Sequence, residues 1–182
     1  MESKKEKKKE SALNINDDFD FNFAKKIPGV LRWILVVPAG FVGLLMVQLA
    51  YGFIVNMLLK NVSDTSVITT IVNAIFGLAK FYIFTITMVA MAPVKTKNKF
   101  KAGVGLSVVP LAIACGVTYL FLLGGSETAA EYSYLTTNIA IQVAVVILAT
   151  IGALIYIKKD TNKEKAAINE EDELNQYEDG SI

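Results

Sequence analysis

The chain has 182 residues, 53% of them hydrophobic, and sets 18 Lys and Arg against 17 Asp and Glu for a formal net charge of +1. It contains no His and one Cys, which excludes histidine general bases, histidine metal ligands and a cysteine-built zinc site. The apolar residues are gathered in blocks rather than scattered as in a soluble core, and no nucleotide-binding loop or dinucleotide fingerprint interrupts them.

Residues 1–29 read as a basic cytoplasmic tail followed by an interfacial segment. Lys4, Lys5, Lys7, Lys8 and Lys9, interrupted only by Glu6, suit an anionic leaflet, where each nearby lysine contributes about 1 kcal/mol. A flexible solvated tail whose charge enforces topology is the simpler reading. The stretch Asp17-Asp18-Phe19-Asp20-Phe21-Asn22-Phe23 alternates polar and aromatic residues, yet a lone strand has no partner in sight. Its phenylalanines are expected to anchor an irregular or short helical segment at the interface, with Lys25, Lys26 and Arg32 near headgroup phosphates. Pro28-Gly29 then marks a bend into the first apolar block.

Four apolar blocks follow, at 33–59, 67–94, 102–123 and 134–157. Each is long enough to cross a hydrocarbon layer of roughly 30 Å at about 1.5 Å per residue. A soluble bundle would carry charge at every turn of its outward faces, and these blocks do not. The first block is preceded by about thirty mostly polar residues and is too long for the apolar core of a signal peptide, so it reads as a permanent span. The expected fold is all-α: a polytopic four-helix transmembrane bundle over residues 30–159, with flexible cytoplasmic tails at 1–29 and 160–182. Pro38 lies near one end of span one, whereas Pro110 is central enough to kink span three.

Charge placement sets the expected orientation. Eight basic residues precede span one, Lys95, Lys97, Lys99 and Lys101 join spans two and three, and Lys158, Lys159, Lys163 and Lys165 follow span four. The positive-inside rule places all three clusters, and both termini, in the cytoplasm. The opposite loops are short, the second with Glu127 and Glu131 as its only charges, and the Asn61-Val62-Ser63 acceptor pattern sits too close to the membrane to favour glycosylation. After Lys165 every charge is acidic, a composition that favours disorder and leaves Leu174 and Tyr177 as apolar contacts should the tail fold on a basic partner.

Polar and small residues inside the spans indicate the faces that meet protein. In span two, Asn73, Gly77, Lys80 and Thr87 fall on one narrow helical face, interrupted by Phe84. Span one adds Gln48, Gly52 and Asn56, and span four adds Asn138 and Gln142, with Ala149 and Ala153 further along. The three polar faces are expected to meet, and Gly40, Gly43, Gly103, Gly105, Ala140 and Ala144 to admit close backbone approach. Cys115 reads as a small packing residue. The candidate intramembrane interaction residues are therefore Gln48, Asn56, Asn73, Gly77, Lys80, Phe84, Thr87, Asn138 and Gln142.

Lys80 is the oddity, a cation near mid-depth with no Asp or Glu in any of the four blocks. Such a charge needs a compensating group or a route to water. Phe76 and Phe84, four residues to either side, offer rings for a cation–π contact. Three environments stay open: a structural or lipid-facing position, a contact with another subunit, and a transport site for an anion or a lipid phosphate. The spans lack the carboxylates of a proton pump or an intramembrane aspartic protease. The expectation is a noncatalytic integral-membrane subunit without cofactor or metal, supporting the assembly, stability or regulation of a larger membrane complex. The alternative is an oligomeric channel or transporter for an anion or anionic lipid. Expected partners are membrane lipids and a homo-oligomer or larger membrane-protein complex, and nucleic acid is not among them because the basic residues lack an aromatic binding platform.

Overall fold

The computed structural model describes residues 14–16, 18–58, 67–123 and 139–162. The lysine run at 4–9, the acceptor pattern at 61–63, the loop at 124–133, Asn138 and the acidic tail lie outside the described residues, as does the side chain of Asn56. A short 3-10 turn at Ala24–Lys26 precedes α1 (Gly29–Leu58), α2 (Val67–Met91), α3 (Thr96–Leu106) and α4 (Val108–Leu123). The last helix, α5, covers Ile139–Asn162. Helices α1, α2 and α5 each form one transmembrane span, and α3 with α4 forms another, giving the all-α four-helix transmembrane bundle that the sequence implies.

Two helices extend beyond their apolar blocks. Helix α1 begins at Gly29 and so includes Arg32, while span three begins at Thr96 with a turn that holds Lys97, Lys99 and Lys101. Helical hydrogen bonding is indifferent to side-chain polarity. The hydropathy boundary therefore records where lysine must leave the lipid, and the helix continues past it.

Helix α2 is the centre of the bundle and the most buried of the four spans. Lipid gives little drive for apolar helices to associate, so close packing must supply it. Gly40 and Gly43 bring α1 onto α2: a Cβ at Gly40 would stand 2.7 Å from Met88 Cγ, and one at Gly43 2.8 Å from Thr87 Oγ1. On another side Gly77 admits α5, where a Cβ would come within 2.8 Å of Val145 Cγ1. Gly103 likewise meets Leu154 and Val89. Gly105, by contrast, has open space beside it, and Ala140 and Ala144 are exposed, so these three do not make the close approaches expected of them. Cys115 is also exposed rather than packed.

Span three breaks at Ser107, and Pro110 is the cause. Proline has no N–H to offer the Leu106 carbonyl one turn earlier, and its ring crowds that turn. The Ser107 amide donates back to Gly103 O at 2.9 Å and its hydroxyl to Val104 O at 2.6 Å, while the Leu111 amide reaches Ser107 O only at 3.4 Å. The expected kink thus falls at Ser107, a single turn residue between α3 and α4 whose backbone stays helical at φ −63° and ψ −17°.

The outward faces are apolar and open. On α1, Leu49, Phe53 and Met57 are each more than 70% exposed, and α4 and α5 present Leu120, Leu123, Leu148 and Ile155 as exposed residues too. Continuous surface of this kind is costly in water and costs nothing against lipid.

At the end of the bundle where α2 passes to α3, the N-terminal segment folds into the protein. The Asn16 side chain accepts from the Asp20 amide at 3.0 Å, the Phe19 amide donates to Asn16 O at 2.9 Å, and Ile15 pairs with Phe21 as an isolated antiparallel bridge. This tight turn holds Phe19 at φ 57°, a left-handed backbone that costs a residue other than glycine roughly 1–2 kcal/mol. Burial of the ring offsets that cost, since Phe19 is fully buried among Val89, Ala90, Ala153 and Ile157. Ala24 is buried with Val36, Phe84 and Met88. The segment is therefore an end plug that contacts α1, α2 and α5, and its phenylalanines pack against protein.

Candidate functional site

Two polar centres occupy the bundle. The first holds the plug. Asp20 Oδ1 accepts from Arg32 Nη2 and from Lys99 Nζ, each at 2.5 Å. Lys99 is fully buried and Arg32 nearly so. Both cations also cap α2. Lys99 Nζ donates to Val89 O at 3.1 Å and Ala92 O at 2.8 Å, while Arg32 donates through Nε to Met91 O at 3.0 Å and through Nη2 to Ala92 O at 3.3 Å. The last carbonyls of a helix lack intrahelical donors and carry the negative end of its dipole, so cations are favoured there. One carboxylate and one helix terminus thus share the neutralisation of two buried charges.

This centre corrects the sequence expectation for Arg32. Its guanidinium is turned into the protein, bonded to Asp20 and the end of α2, rather than out to headgroup phosphates. Lys25 does remain outside, paired with Asp18 at 3.0 Å with both side chains about half exposed. A pair so exposed contributes little stability.

The second centre surrounds Lys80. Gln48 and Tyr51 from α1, Asn73, Gly77, Lys80 and Phe81 from α2, and Gln142 from α5 line part of a cavity of about 290 Å³. Parts of the three polar faces thus line one cavity, through Gln48, Asn73, Gly77, Lys80 and Gln142, whereas Gly52 has nothing within 4 Å of its Cβ position. Tyr51 completes the site: its hydroxyl donates to Asn73 Oδ1, and its ring lies 4.9 Å from Lys80 Nζ. The cation–π partner is consequently Tyr51 and neither expected phenylalanine. Phe76 instead packs edge-on against Tyr51 at 4.9 Å, and Phe84 packs edge-on against Phe41 at 5.4 Å. Sequence alone does not single out Tyr51, because a tyrosine in an apolar span looks like any other aromatic. Its position three residues after Gln48 is the signal that puts it on the polar face of α1.

The remaining candidates are elsewhere. Phe84 is fully buried against Gly40 and Met88, where it fixes the α1–α2 approach. The Thr87 hydroxyl donates to Ile83 O at 2.6 Å, and the residue lines a separate apolar groove of about 630 Å³ between α1 and α2, together with Phe21, Pro38, Val42 and Gly43. Gly77 lines the pocket, and its lack of a side chain serves the approach of α5, since a Cβ would stand 2.8 Å from Val145 Cγ1 but at an ordinary 3.5 Å from Gln142 Oε1. Among the described residues no cluster of His, Cys, Asp and Glu suits a metal ion.

Fold and site together define a polytopic membrane protein with four transmembrane helices, an ion-paired end plug and a polar pocket inside the bundle. Comparison with protein-family models, curated proteins and solved structures gives no match.

Proposed function

We propose that the chain is a noncatalytic integral-membrane subunit, oriented with both termini in the cytoplasm, that supports a larger membrane assembly through span three. The observation that carries this reading is the peripheral position of that span, the least buried of the four. On α4, Ala112 and Gly116 are exposed one turn apart, and Gly116 has no neighbouring atom within 4 Å of where a Cβ would stand. Small residues at this spacing let a second membrane helix approach closely. The polar face of α2 is already engaged by α1 and α5, and the small-residue face of α4 is open to a partner helix. The cytoplasmic orientation is supported by Lys25, Lys99 and Lys158, which lie at one end of the bundle near Asp18, Asp20 and Phe100.

A photoreactive residue in place of Ala112 is expected to form a discrete protein adduct in native membranes, and one in place of Leu49 only lipid adducts. Identical lipid-only labelling at both positions would remove this reading. The Lys80 pocket supports a second reading, a small anion channel or transporter. Chloride flux through reconstituted vesicles that disappears with Lys80→Met would favour it over the first.

A further inference from the structure

The pocket at Lys80 has the composition of an anion site. Its lining carries one formal charge, the ammonium of Lys80, and no carboxylate. Among the described residues Lys80 Nζ has a ring neighbour, Tyr51 at 4.9 Å, and no anionic partner. A cation–π contact offsets only part of the cost of drawing an ammonium out of water. The neutral groups around it include side-chain amides, which donate as well as accept. The Tyr51 hydroxyl donates to Asn73 Oδ1, and the same amide carries two N–H groups. Gln48 and Gln142 place two more amides on the wall, one from each flanking helix.

We propose that this pocket binds one small monovalent inorganic anion of the halide class, held by Lys80 with the side-chain amides of Gln48, Asn73 and Gln142 on the wall around it. A metal cation is repelled by Lys80 and meets no carboxylate. A single negative charge neutralises the single lysine, whereas a divalent anion would leave a net charge in the hydrocarbon region. Lys80 is thirteen residues from the start of α2 and eleven from its end, so about 17–20 Å of helix separates it from either terminus. A lipid phosphate sits too far out to reach that depth. The site is complete within one chain and stands independently of the subunit reading.

The test is thermal unfolding of the purified full chain in phosphatidylcholine nanodiscs, titrated with sodium chloride against sodium gluconate at constant ionic strength. Chloride is expected to raise the unfolding midpoint saturably, and Lys80→Met to weaken that response at least about tenfold. Gln142→Leu, which keeps the lysine, is expected to weaken it by about threefold to tenfold and serves if Lys80→Met does not fold. Identical chloride and gluconate curves for the unsubstituted protein would overturn the proposal. So would a chloride response unchanged in both variants, or a midpoint that responds to added phosphatidylglycerol and not to chloride.

Discussion

Replacing Asp20 with Asn is expected to cost about 3–5 kcal/mol of stability and to release the end plug. The substitution keeps the shape of the side chain while removing the only carboxylate, among the described residues, bonded to Arg32 and Lys99, both of which are buried. A buried ion pair adds little over an apolar substitute, but removing one partner strands a desolvated charge. Here a single change strands two. Backbone carbonyls of α2 continue to accept from both cations, so the lower end of that range applies if the plug relaxes. Chemical denaturation in detergent micelles measures the loss, and protease sensitivity at 14–27 reports release of the plug. Lys99→Met in the Asp20→Asn background is expected to recover part of the loss, because it removes one of the stranded charges. A loss below about 0.5 kcal/mol for Asp20→Asn would mean that the plug is held by Phe19 and Ala24 alone.

Gly40→Leu is expected to cost about 1–3 kcal/mol by forcing α1 away from α2. The positions that a leucine Cβ would meet are Met88 Cγ at 2.7 Å and Phe84 Cε2 at 3.0 Å. Met88 is flexible, but both side chains are fully buried and Phe84 is held edge-on by Phe41. The neighbouring space is therefore already committed. Gly52→Leu is the control, since nothing stands within 4 Å of its Cβ position. It is expected to shift the unfolding midpoint little, and equal losses at the two positions would contradict the close α1–α2 approach at Gly40. A loss at Gly40 that vanishes with Met88→Ala would identify Met88 as the obstacle.

Local patterns carried the architecture and half of the polar chemistry. Block length alone defines four spans, because a hydrocarbon layer sets a minimum helix length that no soluble constraint imitates. Helical periodicity put Asn73, Gly77 and Lys80 on one face, and these three line one cavity with Gln48 and Gln142. It failed further along the helix, where Thr87 shares the face of Lys80 but lines the α1–α2 groove instead. A face that runs the length of a helix meets different neighbours at different depths. The Asp20–Arg32–Lys99 centre was not legible because Arg32 and Lys99 lie 12 and 79 residues from Asp20 in sequence. Only the plug's turn at Phe19 and the α2–α3 connection bring them together. One clue was present: an arginine inside the first helix, opposite an aspartate placed among phenylalanines, needs a partner if the helix is not to stop there.

The ion-paired plug and the Lys80 pocket divide Asp20, Arg32, Lys99 and Lys80 between one end of the bundle and its interior. Neither uses the outer face of α4, which is why assembly is assigned to that face. Native mass measurement from lipid nanodiscs, comparing the unsubstituted chain with Gly116→Leu and Lys80→Met, tests this division most directly. Gly116→Leu is expected to weaken association about fivefold to thirtyfold, as a loss of about 1–2 kcal/mol at the helix contact implies, while Lys80→Met leaves the assembled mass unchanged. Dissociation by Lys80→Met with Gly116→Leu still assembled would contradict it.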